Sequence, residues 1–190
     1  MSETEYILGV DPGKTGALCF LPLDGSPIVW IVTPEIKGTL EIDIMAIYRF
    51  IHPYMQHTRA CVIEDVHSVF GSSAKSNFQF GRALGIVETL PSVFGIPMHK
   101  VAPKTWQKVA WQGVPLVQKK KVVKGAKGKG GKPDKPDRTV MKTDTKATSL
   151  NAAKRIFPQE SFLATTRSSV PHDGGVDAAL IAYYGKRENL

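Results

Sequence analysis

Apolar runs and the polar breaks between them divide the chain into short segments, most with a recognisable period. Residues 6–11, 16–22 and 28–33 are apolar stretches separated by Asp11-Pro12-Gly13 and by Asp24-Gly25-Ser26-Pro27. They predict three strands joined by tight turns, an antiparallel meander. From Leu40 to Met55, Ile44, Ile47, Tyr48 and Ile51 recur at helical spacing and predict a helix. Ala60 to Glu64 is a continuous apolar run ending in an acid, the mark of a buried strand paired in parallel. Ser68 to Ser76 is small and polar and reads as a loop. Phe78 to Phe94 reads as a helix in which Gly81 and Gly85, four apart, predict close packing on a neighbour. Residues 96–101 predict a fifth strand, and Pro103 to Trp111 begins another helix. Thr145 to Phe157 is helical in pattern and stops at Pro158; 159–170 is a polar loop. A last helix starts after Pro171 and is expected to stop at Gly185.

The pattern fails between residues 118 and 138. This segment holds eight lysines and one arginine against two aspartates, +7 of the chain's formal +8. Glycine, proline and like charges disfavour a packed element there, so it reads as a flexible basic loop inserted into a nearly neutral body. Basicity spread over a surface would serve solubility; concentrated in one tongue, it points to phosphates. With 190 residues, 42% hydrophobic and 22% charged, the chain is expected to fold as a single domain, 1–190, carrying this insertion. Cys19 and Cys61 lie in strand-like runs and are expected as buried free thiols, which argues against a zinc site. The start, Met-Ser-Glu-Thr-Glu, does not read as a secretory signal, and no apolar run approaches the ~18 residues of a membrane span. A soluble cytoplasmic protein is expected.

Four acids fall at the ends of segments that should be buried. Asp11 ends the first strand, with its carboxylate on the same face as Gly9, a face that the missing side chain leaves open. Glu64 ends the fourth strand. Asp173 and Asp177 are four apart on the last helix, about 40° apart around its axis, and face the same way. Each has an ordinary alternative: a turn residue for Asp11, a solvated strand end for Glu64, a helix cap for Asp173. Asp177 is harder to dismiss, because an unpaired acid on an apolar helix face costs several kcal/mol. Carboxylates gathered without cations repel and raise one another's pKa, so the set makes most sense around a hard divalent cation. His172 is either a ligand, a proton shuttle or a loop residue.

Gly9-Val-Asp-Pro-Gly-Lys-Thr-Gly16, Val62-Ile-Glu-Asp-Val66, Gly81-Arg-Ala-Leu-Gly85 and His172-Asp-Gly-Gly-Val-Asp-Ala-Ala-Leu-Ile-Ala182 occur in the order seen in RuvC-like Holliday junction resolvases of the RNase H-like superfamily. The resemblance covers nearly the whole chain apart from the lysine-rich insertion. It implies an α/β fold with a mixed five-stranded sheet flanked by helices, and a homodimer that resolves four-way junctions and other branched DNA by paired nicks. It implies two Mg2+ ions per site, with Mn2+ as a substitute, held by Asp11, Glu64 and Asp177. Relatives often carry an acid or a histidine three residues before the last aspartate; Gly174 stands there here, so Asp173 or His172 must supply the fourth ligand. The His-Asp-Gly form resembles phage-encoded members acting in a bacterial host. An aromatic stacking on junction bases is expected at Phe70, with His67 behind it. Lys108, Lys142 and Lys146 are the expected point charges near the scissile phosphate. Arg82 is either a phosphate contact or an ion pair, and Lys119, Lys120 and Lys121 join the expected DNA contacts. Two rivals stand beside this reading. Asp-Pro-Gly-Lys-Thr-Gly also resembles the first phosphate loop of actin-like phosphotransferases, although the chain is short for two such lobes. The same fold could also serve a non-catalytic branched-DNA binder, which would have no reason to keep repelling acids.

Overall fold

The computed structural model describes residues 4–39, 41–66, 73–125 and 136–190. Tyr6–Asp11 (β1), Ala17–Pro22 (β2) and Val29–Val32 (β3) form the antiparallel meander that the apolar runs predict. Gly16 N–H donates to the Gly13 carbonyl across the first turn, where Gly13 has φ +131°, a conformation that excludes most side chains. Ile44–Ile51 (α1) is capped by Asp43 and passes into a short 3-10 helix, His52–His57, with Pro53 in its first turn. The single helix expected to Met55 therefore divides at His52, since the Pro53 nitrogen has no hydrogen to donate to an α-helical ladder.

Thr58–Glu64 (β4) runs parallel to β1, and Met98–Val101 (β5) parallel to β4, giving one five-stranded mixed sheet in the order β3-β2-β1-β4-β5. Between them lies Ala74–Val93 (α2), capped by Ser73. Helix α2 thus begins four residues before the expected Phe78, within the stretch read as a loop. Pro103–Ala110 (α3), Thr145–Ile156 (α4) and Asp173–Arg187 (α5) complete the α/β fold.

Strand alternation sorts the sheet into two faces. Leu8, Val10, Leu18, Phe20, Cys61 and Ile63 face Ile47 and Ile51 of α1 and Val87 of α2. Ile7, Cys19, Leu21, Ala60 and Val62 face Trp106 of α3, Ala152 and Ala153 of α4, and the small apolar side of α5. Both cysteines are free and buried, and burial pushes the Cys61 thiol up to about 12.

Helix α5 lies over the centre of the sheet because glycines let it come close. A Cβ at Gly9 would sit 2.2 Å from the Ala178 carbonyl oxygen, so this position admits the helix backbone and is not open space as expected. Gly185 does not end the helix. It lies inside α5, where a Cβ would meet Val62 and Ile7 at 2.7 and 2.8 Å. Gly81 and Gly85 differ in the opposite sense: among the described residues a Cβ at either would meet nothing within 4 Å, so they do not mark close packing there.

The basic insertion also departs from the expected loop where it is described. Gln118–Val123 (β6) and Arg138–Thr143 (β7) pair antiparallel in a separate two-stranded sheet. Val122, Val123, Thr139, Val140 and Thr143 supply the β-branched positions. Residues 126–135, like His67 and Phe70, lie outside the described residues.

Candidate active site

Odd positions of β1 point to the α5 face of the sheet, and even positions of β4 do the same. Asp11 follows Ile7 and Gly9 on that face; Glu64 follows Ala60 and Val62. The parallel register sets Val10 opposite Ile63, so the two carboxylates end neighbouring strands at the same edge. Helix α5 starts above that edge, and its first two turns carry Asp173 and Asp177. The approach is again tight: a Cβ on Gly174 would stand 2.6 Å from the Thr15 carbonyl oxygen, 2.9 Å from Gly16 Cα and 3.0 Å from Asp11 Oδ2. One on Gly175 would enter the ring of Trp30. The glycines around Asp11 therefore make room for the start of α5.

Burial and mutual repulsion govern the electrostatics. The Asp11 carboxyl is held well above the usual carboxylate range, first by desolvation and then by Asp177, Glu64 and Asp173. Desolvation, with Glu64 and Asp173 adding to it, pushes Asp177 up to about 7 against a hydrogen bond from Ser149. Glu64 is raised by burial and pulled back by the indole of Trp106, whose Nε1 donates to Glu64 Oε1 at 2.8 Å. Three of the four acids are thus destabilised as anions where they stand.

Asp173 is exposed and takes a charge-assisted hydrogen bond from Lys146 of α4, which raises the lysine's pKa. His172 is the N-cap of α5. Its Nδ1 accepts from Gly175 N–H at 3.1 Å, and burial lowers its pKa, favouring the neutral ring that can accept. His172, and not Asp173, therefore caps the helix. Asp11, Asp173, Asp177, His172 and Lys146 line one cleft of about 510 Å³; Glu64 stands beside it, turned to Trp106.

The donor set is all oxygen apart from one imidazole, which suits a hard cation. Among the described residues, no three of the acids, histidines and cysteines close into a group able to enclose an ion. Two of the acids are instead held by protein partners, Glu64 by Trp106 and Asp173 by Lys146.

Arg82, Lys108 and the ribbon lysines are not among the residues that line this cleft. Arg82 forms an ion pair with Glu41 at 3.5 Å, the simpler of its two expected roles. Lys108 is exposed on α3, while Lys119, Lys120, Lys121 and Lys142 lie on the β6–β7 ribbon. Sequence reasoning missed Trp106 and Ser149, both brought to the acids by helices packed on this face.

No family model matches the chain. The chain is 28% identical over 118 residues to the crossover junction endodeoxyribonuclease RuvC of Brucella anthropi, covering 57% of this chain and 66% of that protein. It is 27% identical to the Brucella ovis RuvC, covering 57% and 65%. The matches thus span just under two thirds of those relatives' length. Among solved structures, Thermus thermophilus RuvC in complex with a Holliday junction substrate superposes with a TM-score of 0.51 over 96% of each chain, at 12% identity. The chain therefore resembles RuvC resolvases in sequence and has their RNase H-like fold.

Proposed function

We propose that this chain is a divalent-metal-dependent endonuclease that resolves Holliday junctions and other branched DNA by paired nicks. One observation carries the reading: Asp11, Glu64 and Asp177 are gathered at one sheet edge in a state that each resists as an anion. A protein that only bound DNA would gain nothing from such mutual repulsion, and cations relieve it.

Asp11, Glu64, Asp177 and Asp173 are the residues that would hold two Mg2+ ions, with Mn2+ as substitute. Asp173 is favoured over His172 as the fourth ligand because it is exposed to the cleft, whereas His172 spends Nδ1 on Gly175. Such ions, when bound, supply an attacking water of lowered pKa and offset charge on the leaving oxygen, giving a 5′-phosphate and a 3′-hydroxyl. The chain's own part is to position and neutralise. Trp106 fixes the Glu64 carboxylate, and Lys146, released from Asp173, offers its ammonium to the scissile phosphate. Lys108 as a phosphate contact and Phe70 as a stacking aromatic belong to the same proposal.

A homodimer matches paired nicking. The open side of α2 suits a second copy: Gly81, Gly85, Ile86 and Leu90 border a groove of about 460 Å³ beside Ile44. Among the described residues no helix is long and apolar enough to cross a membrane. Action in the cytoplasm of a bacterial host, as a phage-encoded enzyme, is the setting that His172-Asp173-Gly174 suggests.

The test is a panel of four-way junctions, forks, flaps and linear duplexes with Mg2+. Junctions should be cut symmetrically, and Asp11→Asn or Glu64→Gln should abolish cutting while binding in Ca2+ persists. Normal cutting by either variant would overturn the site.

A further inference from the structure

We propose that one face of the β6–β7 ribbon, carrying Lys119, Lys121, Arg138 and Lys142, is a phosphate-binding face that holds the backbone of a nucleic-acid arm entering the carboxylate cleft. The inference rests on the nuclease reading and assigns a distinct contact surface to it.

The register decides which side chains share a face. Lys119 stands opposite Lys142, Lys121 opposite Val140, and Val123 opposite Arg138. Alternation puts these six residues on one side. Gln118 with Thr143, Lys120 with Met141, and Val122 with Thr139 occupy the other. The run of three lysines is therefore split: Lys119 and Lys121 point one way and Lys120 the other, beside the exposed apolar side chains of Met141 and Val122.

The cationic face is costly to the free protein. Like charges directly across a ladder destabilise it, and an isolated two-stranded ribbon is marginal in water. Lys119 against Lys142 nonetheless forms one like-charged rung, in a sheet separate from the main one. The ribbon's fixed end is anchored. Asp144 takes an ion pair from Lys119 at 3.2 Å and caps α4, its N–H donates to the Val117 carbonyl at 2.7 Å, and Val117 N–H donates to Thr148 Oγ1 at 3.1 Å. Two residues beyond that cap, on the same helix, Lys146 reaches Asp173. Lys142 of the ribbon and Lys146 at the cleft thus lie four residues apart on one tied segment. A phosphodiester backbone is the polyanion with repeated charges to match that row, and it must lead to the cleft if the cleft cuts it.

Binding of a fluorescent four-way junction to the full chain, in Ca2+ to prevent cutting and across a salt series, tests this. Lys121→Gln, Lys142→Gln and Arg138→Gln should each weaken binding several-fold and reduce the slope of log K against log salt by about 0.9. Lys121→Arg should restore both, and Lys120→Gln should leave the slope unchanged. Equal losses for Lys120→Gln and Lys121→Gln would overturn the facial assignment. No loss in any ribbon variant, with the wild type binding normally, would overturn the contact and leave the nuclease reading standing. A wild type that binds junctions by this ribbon but never cuts them in Mg2+ would overturn the nuclease reading alone, and a wild type that binds no DNA would overturn both.

Discussion

Trp106 and Glu64, 42 residues apart in sequence, are joined by a 2.8 Å hydrogen bond from the indole nitrogen to the carboxylate. The ring is fully buried, so the bond aims the carboxylate and favours its charged form against desolvation. Trp106→Phe keeps most of the ring volume and removes the donor. Loss of a partner that orients a metal-ligating carboxylate typically costs ~10–100-fold in metal affinity or activity. The Mg2+ concentration for half-maximal cutting should rise in that range, with junction affinity in Ca2+ little changed. An unaltered Mg2+ dependence would mean that Glu64 is not a metal ligand or is oriented by other groups.

The metal-free protein should be more stable in mild acid than in mild base. Asp11, Glu64 and Asp177 have folded-state pKa values above their ordinary ones, Asp177 near 7. Between the unfolded and folded values the native state holds more protons than the unfolded chain, so stability falls as pH rises from about 4 and goes on falling until the folded-state carboxyls have ionised, Asp177 at about 7. With water relaxing part of the penalty, a loss on the order of 2 kcal/mol is expected, or ~4–8 °C in Tm for a chain of this size. Thermal melts in EDTA should show it, and Asp177→Asn or added Mg2+ should flatten it. A Tm that rises steadily from pH 5 to pH 8 would contradict the burial of these acids.

Gly174 occupies the place where the resemblance to RuvC-like resolvases leads a metal-binding side chain to be expected, and the backbone explains why none fits. A Cβ there meets Thr15 and Gly16 main-chain atoms at 2.6 and 2.9 Å. Gly174→Ala should cost about 1–3 kcal/mol by overpacking and should tilt the first turn of α5 away from Asp11. Gly174→Asp should not rescue Asp173→Asn. Rescue would show that the helix start can shift to admit a side chain at this position.

Much of the fold was legible because its signals are local. Alternation and continuous apolar runs mark β1, β2 and β4, and the acids that end β1 and β4 share by parity the face of Ile7, Gly9, Ala60 and Val62. Glycines were misread because their reasons lie elsewhere in the chain. Gly9 and Gly185 have no local sign that a helix backbone or a neighbouring strand fills their space, and Gly81 and Gly85 have no sign that nothing does. Trp106 was missed for the same reason, although a helix after the edge strand β5 must return over β4 and bring one face to Glu64. The ribbon β6–β7 was hidden by its lysines, whose charge outweighed the strand preference of its valines.

Lys146 and Asp173 should separate catalysis from stability. Both side chains are more than half exposed, and ion pairs of this kind contribute about 0–1 kcal/mol. Lys146→Gln should therefore leave Tm within ~4 °C of the wild type. If the ammonium stabilises charge developing on the phosphate, the same change should slow single-turnover cutting by ~10²-fold or more at saturating Mg2+. Asp173→Asn should instead raise the Mg2+ requirement, since it removes a ligand and frees the lysine. A single shared phenotype, with both variants losing only stability, would reduce the pair to a surface ion pair and leave the fourth ligand to be sought at His172.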